Sequence, residues 1–277
     1  MYGILSVDIL NRTMNSLQDN LVSVVNLIVV FICVLIMTEK LYRQLREWAE
    51  AYHQADFIAN DPVQFPHRYV RQEDIEIMGL LTAVLSFGNR RMILRKVDEL
   101  DGLMGRAPLQ YVLSRRWEND FSRGNQRSFY RMVSYAAFRI YFEKLYAVYT
   151  ENRTLEDALL TFPGNPMQKL CAFLGVSDRS PQKKLNMFLR WMIRRDSAVD
   201  FGIWRRMSPA DLIIPLDTHV CRVAFLLGLT DKPSFSLSAA RCITEALAEV
   251  FPGDPCLGDF ALFGYGVNHP ELTDNLP

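Results

Sequence analysis

The chain has 277 residues, 49% of them hydrophobic and 22% charged, a composition that excludes a disordered tail, a collagen and a low-complexity scaffold. A chain this long buries most of its surface without staples. Its five scattered cysteines (Cys33, Cys171, Cys221, Cys242 and Cys256) form no CxxC pair, which argues against a disulfide framework, a zinc knuckle or an iron–sulfur loop and predicts reduced, cytoplasmic thiols. Formal net charge is zero, yet residues 111–210 hold 17 Lys and Arg against 9 Asp and Glu. Such a basic middle suits either a face for phosphates or an arginine-rich solvated surface.

In chain order, the first unusual stretch runs from Leu21 to Met37, LVSVVNLIVVFICVLIM. It carries no charge and sits at the short limit for a membrane-spanning helix. Lys40, Arg43 and Arg46 follow it and would set the body on the cytoplasmic side. Asp8 and Asp19, with no small-residue cleavage site, make a poor signal peptide. Met37 directly precedes TEKLYRQLREWAEAYHQ, a good amphipathic helix start. Three readings of residues 1–36 stand: an extension upstream of a true initiator at Met37, which we favour, a membrane anchor, or a buried core helix. A membrane enters as a partner only through Leu21 to Met37, and residues 37–277 are expected to form a single all-α body.

From Thr38 on, apolar residues recur at helical spacing, as in Leu41, Leu45, Trp48, Ala49 and Tyr52. A strong helix is expected from Ile75 to Leu85 after an acidic start at Glu73 and Asp74. A long aromatic helix is expected from Phe129 to Tyr149, and another from Ala239 to Phe251, stopped by Pro252-Gly253. Loops are expected at residues 60–68, 161–166, 176–182 and 252–258. Alternating patterns and Asn-Gly turns are nearly absent, so strands should be few. Trp191 and Trp204, at helical spacing, read as core. Asp61, Pro62 and His67 read as a polar loop with no assigned chemistry.

Two segments carry most of the chemistry. PQKKLNMFLRWMIRR (181–195) places Leu185, Phe188, Leu189 and Met192 on one helical stripe. Lys183, Asn186, Arg190 and Arg194 follow another, a row of cations suited to a phosphate backbone or, more plainly, one side of an ordinary amphipathic helix. IIPLDTHVCRVAFLLG (213–228) sets Asp217 at a helix N-cap, with Gly228 as the stop. With four histidines and no second cluster at ligand spacing, no metal is expected.

Pro-Leu-Asp217-Thr-His219-Val-x-Arg222-Val resembles the aspartate segment of the helix-hairpin-helix DNA glycosylase superfamily, the endonuclease-III-like base-excision enzymes. LLTAVLSFGNRRMILRKVDEL (80–100) resembles its early helix–turn–helix, and DFALFGYG (259–266) its late helix. DPVQFPHRY (61–69), FGNR (87–90), LNMFLRWMIRRDSAVDFGIW (185–204) and PLDTHV (215–220) resemble an uncharacterised bacterial family related to those glycosylases. The resemblance implies an all-α glycosylase-like fold of two interleaved helical lobes with a cleft between them. It implies a monomer that acts on damaged duplex DNA without a cofactor. Asp217 would stabilise the developing oxocarbenium ion or activate the nucleophile. In the bifunctional branch a lysine attacks C1′ and forms a Schiff base; here that is Lys183 or Lys184, with a lean to Lys184. Neighbouring helical residues point about 100° apart, so only one of the two can face the site. Gly88 stands where the superfamily has a gap-filling glutamine, so Asn89 or Arg90 takes that place. Arg190, Arg194, His219 and Arg222 complete the expected nucleic-acid contacts. The superfamily's glycine-rich hairpin and four-cysteine cluster are missing, and only Leu174-Gly175-Val176 resembles the hairpin. Two other readings remain: a non-catalytic nucleic-acid-binding module of the same fold, and an interaction protein in which Asp217 is a plain cap.

Overall fold

Short polar side chains open most of the longer helices. The computed structural model describes residues 38–151 and 153–273; the expectations for residues 1–36 and for Cys33 lie outside them. The chain divides into two units, residues 1–44 and 45–277. In the first, residues 38–44 are helical. All that follows concerns the second.

Its elements are α1 (residues 45–52), α2 (Asp56–Ala59), the 3-10 turns Pro62–Gln64 and Pro66–Arg68, α3 (Gln72–Leu85), α4 (Arg90–Leu103), α5 (Pro108–Leu113) and α6 (Trp117–Asp120). A two-stranded antiparallel hairpin, β1 (Ser128–Tyr130) and β2 (Val133–Ser134), follows. Then come α7 (Tyr135–Thr150), α8 (Leu155–Leu159), α9 (Pro166–Leu174), α10 (Lys183–Ile193), a 3-10 turn Pro209–Asp211, α11 (Thr218–Leu226), α12 (Leu237–Val250), α13 (Leu257–Asn268) and α14 (Pro270–Thr273). The protein is mostly helical, as expected. Asn89, Ser134, Thr154, Asn165, Asp217 and Ser236 each accept a backbone N–H three residues on, which satisfies donors a helix start leaves orphaned. Gly228, at φ 71°, follows the end of α11.

Two expectations are corrected. The helix expected from Phe129 begins only at Tyr135. Ser134 takes the N-cap, and the N–H groups of Tyr135 and Ala136 bond back to the carbonyls of Arg127 and Asn125. That ties the preceding aromatics, good strand formers, into β1–β2. The polar loop at 60–68 is two proline-started 3-10 turns with Pro62, Val63, Phe65 and Pro66 buried; proline suits a first helical position, where its missing N–H costs nothing.

α3 forms the centre, with every residue from Ile75 to Leu85 buried. A Cβ on its Gly79 would lie 3.1 Å from both Phe188 and Met192, so α3 and α10 approach closely. Gly266 does the same for α13 against α11, where a Cβ would meet that of His219 at 2.9 Å. Buried Glu76 accepts from Trp204 Nε1 (2.7 Å), Tyr149 Oη (2.8 Å), the Leu155 N–H (2.9 Å) and Gln72 Nε2 (3.0 Å). Burial pushes its pKa up while these donors pull it down. A buried carboxylate satisfied four times over locks α3, α7, α8 and the 204 segment into one register. Trp191 and Trp204 are fully buried, core residues as their spacing suggested. Among the described residues, no helix is long and apolar enough to cross a membrane, and no group of three or more His, Cys, Asp or Glu side chains could hold a metal ion.

Candidate active site

A cavity of about 400 Å³ opens where the α3–α4 turn, the 61–62 segment and the N-terminal ends of α10 and α11 meet α13. That volume falls within the usual range for a small-molecule or cofactor pocket. Ser86, Phe87, Gly88 and Arg90 come from the α3–α4 turn; Lys183, Met187 and Arg190 lie one helical side apart along α10. Asp217, Thr218 and His219 come from the start of α11, and Asp259, Phe263 and Val267 from α13. Phe57, Asp61 and Pro62 close the wall.

The structure brings five of the sequence-derived site residues to this cavity: Asp217, Lys183, Arg90, Arg190 and His219. Asp217 caps α11, its Oδ1 accepting the Val220 N–H at 3.0 Å, and the half-buried carboxylate faces the cavity from that anchored position. Cap and site residue are therefore one side chain in two relationships. Lys183 is the first residue of α10 and half-buried. Arg90, the first residue of α4, is exposed and holds its guanidinium 5.8 Å from the Phe263 ring centroid. His219 sets its ring edge-on to Phe263, and its Nδ1 is buried with no hydrogen-bond partner among the described residues, a hydrogen-bonding capacity left unspent inside a wall.

The other site residues lie elsewhere. Lys184, towards which the sequence leaned, does not line the cavity: its amine donates to the Val84 carbonyl at 3.3 Å and sits 4.6 Å from the Phe87 ring centroid. Burial and the Lys183 charge lower its pKa. Asn89 is exposed but committed to capping α4. Arg222 is half-buried on α11, outside the cavity lining. Arg194 is 2% exposed and fully engaged: Nε to both Asp254 oxygens at 3.0 and 2.8 Å, Nη1 to Asp200 at 2.9 Å and to Ser197 at 3.1 Å, beside His53 Nε2 at 3.1 Å. The row of cations along α10 is thus corrected: Lys183 at its start is half-buried, and the two arginines are buried. Asn186 and Arg190 are buried too, Arg190 by Asp200 at 3.2 Å and by Asp259, with Phe260 stacked 4.4 Å from its guanidinium. Neither arginine can reach a phosphate without abandoning two carboxylates in the interior, a loss no surface contact offsets.

Sequence reasoning missed the cavity floor. Asp61 is 8% exposed, caps the first 3-10 turn through Val63 N–H at 3.0 Å and lines the cavity. Burial pushes its pKa up, against the pull of Val63 N–H and the charges of Arg190, Arg90 and Lys183. Asp259 is raised to about 6, chiefly by burial and further by Asp217, with Arg190 and Lys183 pulling it down. These influences also record that Asp61, Asp217, Asp259, Lys183 and Arg190 share one electrostatic environment. The sequence singled out the segments that carry both acids, DPVQFPHRY (61–69) and DFALFGYG (259–266), without giving either acid a chemical role.

Such a site offers a half-buried carboxylate, a nearby amine, aromatic walls from Phe57, Phe87 and Phe263, and a cationic rim. It suits a flat, partly apolar ring carrying polar edges, held beside a nucleophile and an acid–base group.

The chain belongs to the family described as Protein of unknown function (DUF2400), which matches residues 61–268. The match takes in the cavity lining from Asp61 to Val267, and Phe57 lies outside it. No curated protein matches the chain, and no solved structure does.

Proposed function

We propose that this protein is a DNA base-excision enzyme, an N-glycosylase with abasic-site lyase chemistry, built on the helix-hairpin-helix glycosylase fold and acting as a cytoplasmic monomer on damaged duplex DNA. The observation that carries the reading is the common cavity of Asp217 and Lys183. Two residues singled out by their motifs, 34 positions apart in the numbering, line a space that fits an extruded nucleobase. The arrangement of helices supports it: α3–α4 is joined by the short turn at residues 86–89, and α9–α10 by residues 175–182, bounded by Gly175 and Gln182 in left-handed backbone. On this reading the second connection takes the place of the superfamily's hairpin.

In this scheme the flipped base stacks between Phe57, Phe87 and Phe263. Lys183 Nζ attacks C1′; the N–C1′ bond forms as the glycosidic bond breaks, and the base leaves with that electron pair and takes up a proton. Asp217 stabilises the positive charge that develops on the sugar and then accepts a proton from the secondary ammonium that attack by the neutral amine forms. The freed nitrogen lone pair expels O4′, which takes up that proton as the sugar ring opens, and the protonated Schiff base results. Asp61 and Asp259, held at the floor, offer hydrogen-bonding groups to the base edge, with Asp259 fixed by Arg190.

Borohydride trapping on duplexes carrying uracil, 8-oxoguanine, alkylated or ring-opened bases, or an abasic site tests the reading. A covalent protein–DNA adduct that disappears in Lys183→Gln supports it. Absence of both adduct and base release across that panel overturns it. Salt-dependent DNA binding that survives Asp217→Asn with no base release would instead favour a non-catalytic binding module.

A further inference from the structure

Three carboxyl groups line the cavity, those of Asp61, Asp217 and Asp259, and the fold gives each a different partner. Asp217 caps α11 and stands half-buried. Asp259 is buried and ion-paired with Arg190, which holds it as an anion's partner would. Asp61 has neither exposure nor a counter-ion in contact. It is 8% exposed, and its Oδ1 accepts the Val63 N–H at 3.0 Å. Among the described residues its carboxyl makes no other hydrogen bond and no ion pair. The segment that carries it is pinned. Pro62 and Pro66 open the two 3-10 turns, with their φ angles fixed by their rings, and Pro62, Val63, Phe65 and Pro66 are buried.

A carboxyl in such a place is biased towards its neutral form. Burial raises the pKa of Asp61, while the Val63 N–H and the charges of Arg190 and Lys183 on α10 and Arg90 on α4 pull it back. Asp217 and His219 on α11 and Asp259 on α13 face the same space. A nucleobase seated there shuts out the remaining water, which disfavours the charged form further. Carboxyl groups of one site whose surroundings differ in this way divide the labour between anion and acid. The excision scheme already uses Asp217 as the anion, and it requires a proton for the departing base. Lys183 attacks as the neutral amine and Asp217 receives a proton, so neither supplies it. Arg90 and Arg190 carry guanidinium groups, which do not release protons in proteins. Asp259 would have to abandon Arg190 to carry one.

On the base-excision reading, we infer that Asp61 is the catalytic acid for the departing base. Its carboxyl O–H gives the proton to a ring nitrogen or exocyclic oxygen of the base as the glycosidic bond breaks. The electron pair of that bond stays with the base, which leaves neutral, and Asp61, left as a carboxylate, regains a proton from solvent. A substrate class follows: lesion bases that are neutral in DNA and would otherwise leave as anions. A base that is already cationic, such as 7-methylguanine, leaves neutral without the acid and gains nothing from it.

Single-turnover base release and borohydride trapping, measured side by side, test the acid separately from the reading beneath it. The probes are duplexes carrying uracil, hypoxanthine or 8-oxoguanine, and an abasic duplex from which no base departs. Asp61→Asn keeps an oxygen for the Val63 N–H. On every base-bearing duplex that the wild type cleaves, it should lower release about a hundredfold, the usual worth of a positioned acid, and it should keep trapping on the abasic duplex within about twofold. The wild-type rate of release should fall on the alkaline side as Asp61 loses its proton, and Asp61→Asn should lack that fall. Unchanged release in Asp61→Asn, trapping lowered as far as release, or an alkaline fall that persists in the variant overturns the assignment while leaving Lys183 and Asp217 their roles. Wild-type trapping on the abasic duplex with no release from any base-bearing duplex overturns it as well, since no base is there to protonate. Neither release nor adduct in the wild type overturns the base-excision reading itself.

Discussion

The floor and the rim of the cavity are made of the same residue types and behave in opposite ways. At the floor, Arg190 and Asp259 are joined through Asp200, Arg194 and Asp254 behind them into one chain of ion pairs. Their charges are used up on each other, and Phe260 covers both guanidinium groups, 4.4 and 5.3 Å away. At the rim, Arg90, Lys183 and Asp217 stand half-buried or exposed, Arg90 beside the Phe263 ring and Asp217 on the Val220 N–H. The difference teaches that charge alone does not mark a functional residue. What marks it is charge that the fold positions without consuming.

The largest expected effect breaks the floor. Asp200→Ala leaves Arg190 Nε and Arg194 Nη1 without their shared acid and should cost about 3–5 kcal/mol in urea unfolding, the usual loss when one member of a buried ion pair is removed. A cost below about 1 kcal/mol would mean the network is solvated. Asp217→Ala should cost only about 1 kcal/mol, the worth of its N-cap, while Asp217→Asn, which keeps a capping oxygen, should lower base excision by roughly a hundredfold. Equal losses of stability at Asp200 and Asp217 would erase the distinction between floor and rim. Lys183→Gln should stay within about 0.5 kcal/mol of wild type, as surface changes do, yet lose the covalent adduct.

A pH dependence is expected beside the ion-pair chain, at His53. Burial and the charge of Arg194 lower the pKa of His53 from 6.5 to about 4. The unfolded chain takes up this proton near pH 6.5 and the folded chain does not, so the contribution of His53 is complete above 6.5 and lost as pH falls towards 4. Asp259, raised to about 6, acts in the other direction, losing its contribution as pH rises through 6. Comparison with His53→Gln isolates the first effect: stability of wild type relative to the variant should fall between pH 6.5 and 4. A constant difference across that interval would show that His53 is not held neutral.

The sequence made some of this legible. Asp217 could be placed at a helix N-cap because a short acid before an apolar run has few other uses, and the α3–α4 turn was marked by Ser86 to Asn89. The direction of the α10 arginines was not legible. A helical wheel puts Arg190 and Arg194 on one side, but it cannot say whether that side meets water or a second layer carrying Asp200, Asp254 and Asp259. Lys183 and Lys184 illustrate the same limit, since each fits the motif and only the packing of Phe87 and Val84 decides which amine turns away. The β1–β2 hairpin escaped because Phe129, Tyr130 and Tyr135 suit a strand or a helix equally, and a cap at Ser134 decided between them.

The account's central claim is that the Lys183 amine and the Asp217 carboxylate work on one extruded nucleotide. It is tested most directly by borohydride trapping on a lesion-bearing duplex, with the adduct mapped by peptide mass. The account predicts an adduct on Lys183 in the wild-type chain and in Lys184→Gln, and none in Lys183→Gln. An adduct that maps to Lys184 or to a residue outside the cavity, or an unchanged yield in Lys183→Gln, would contradict it.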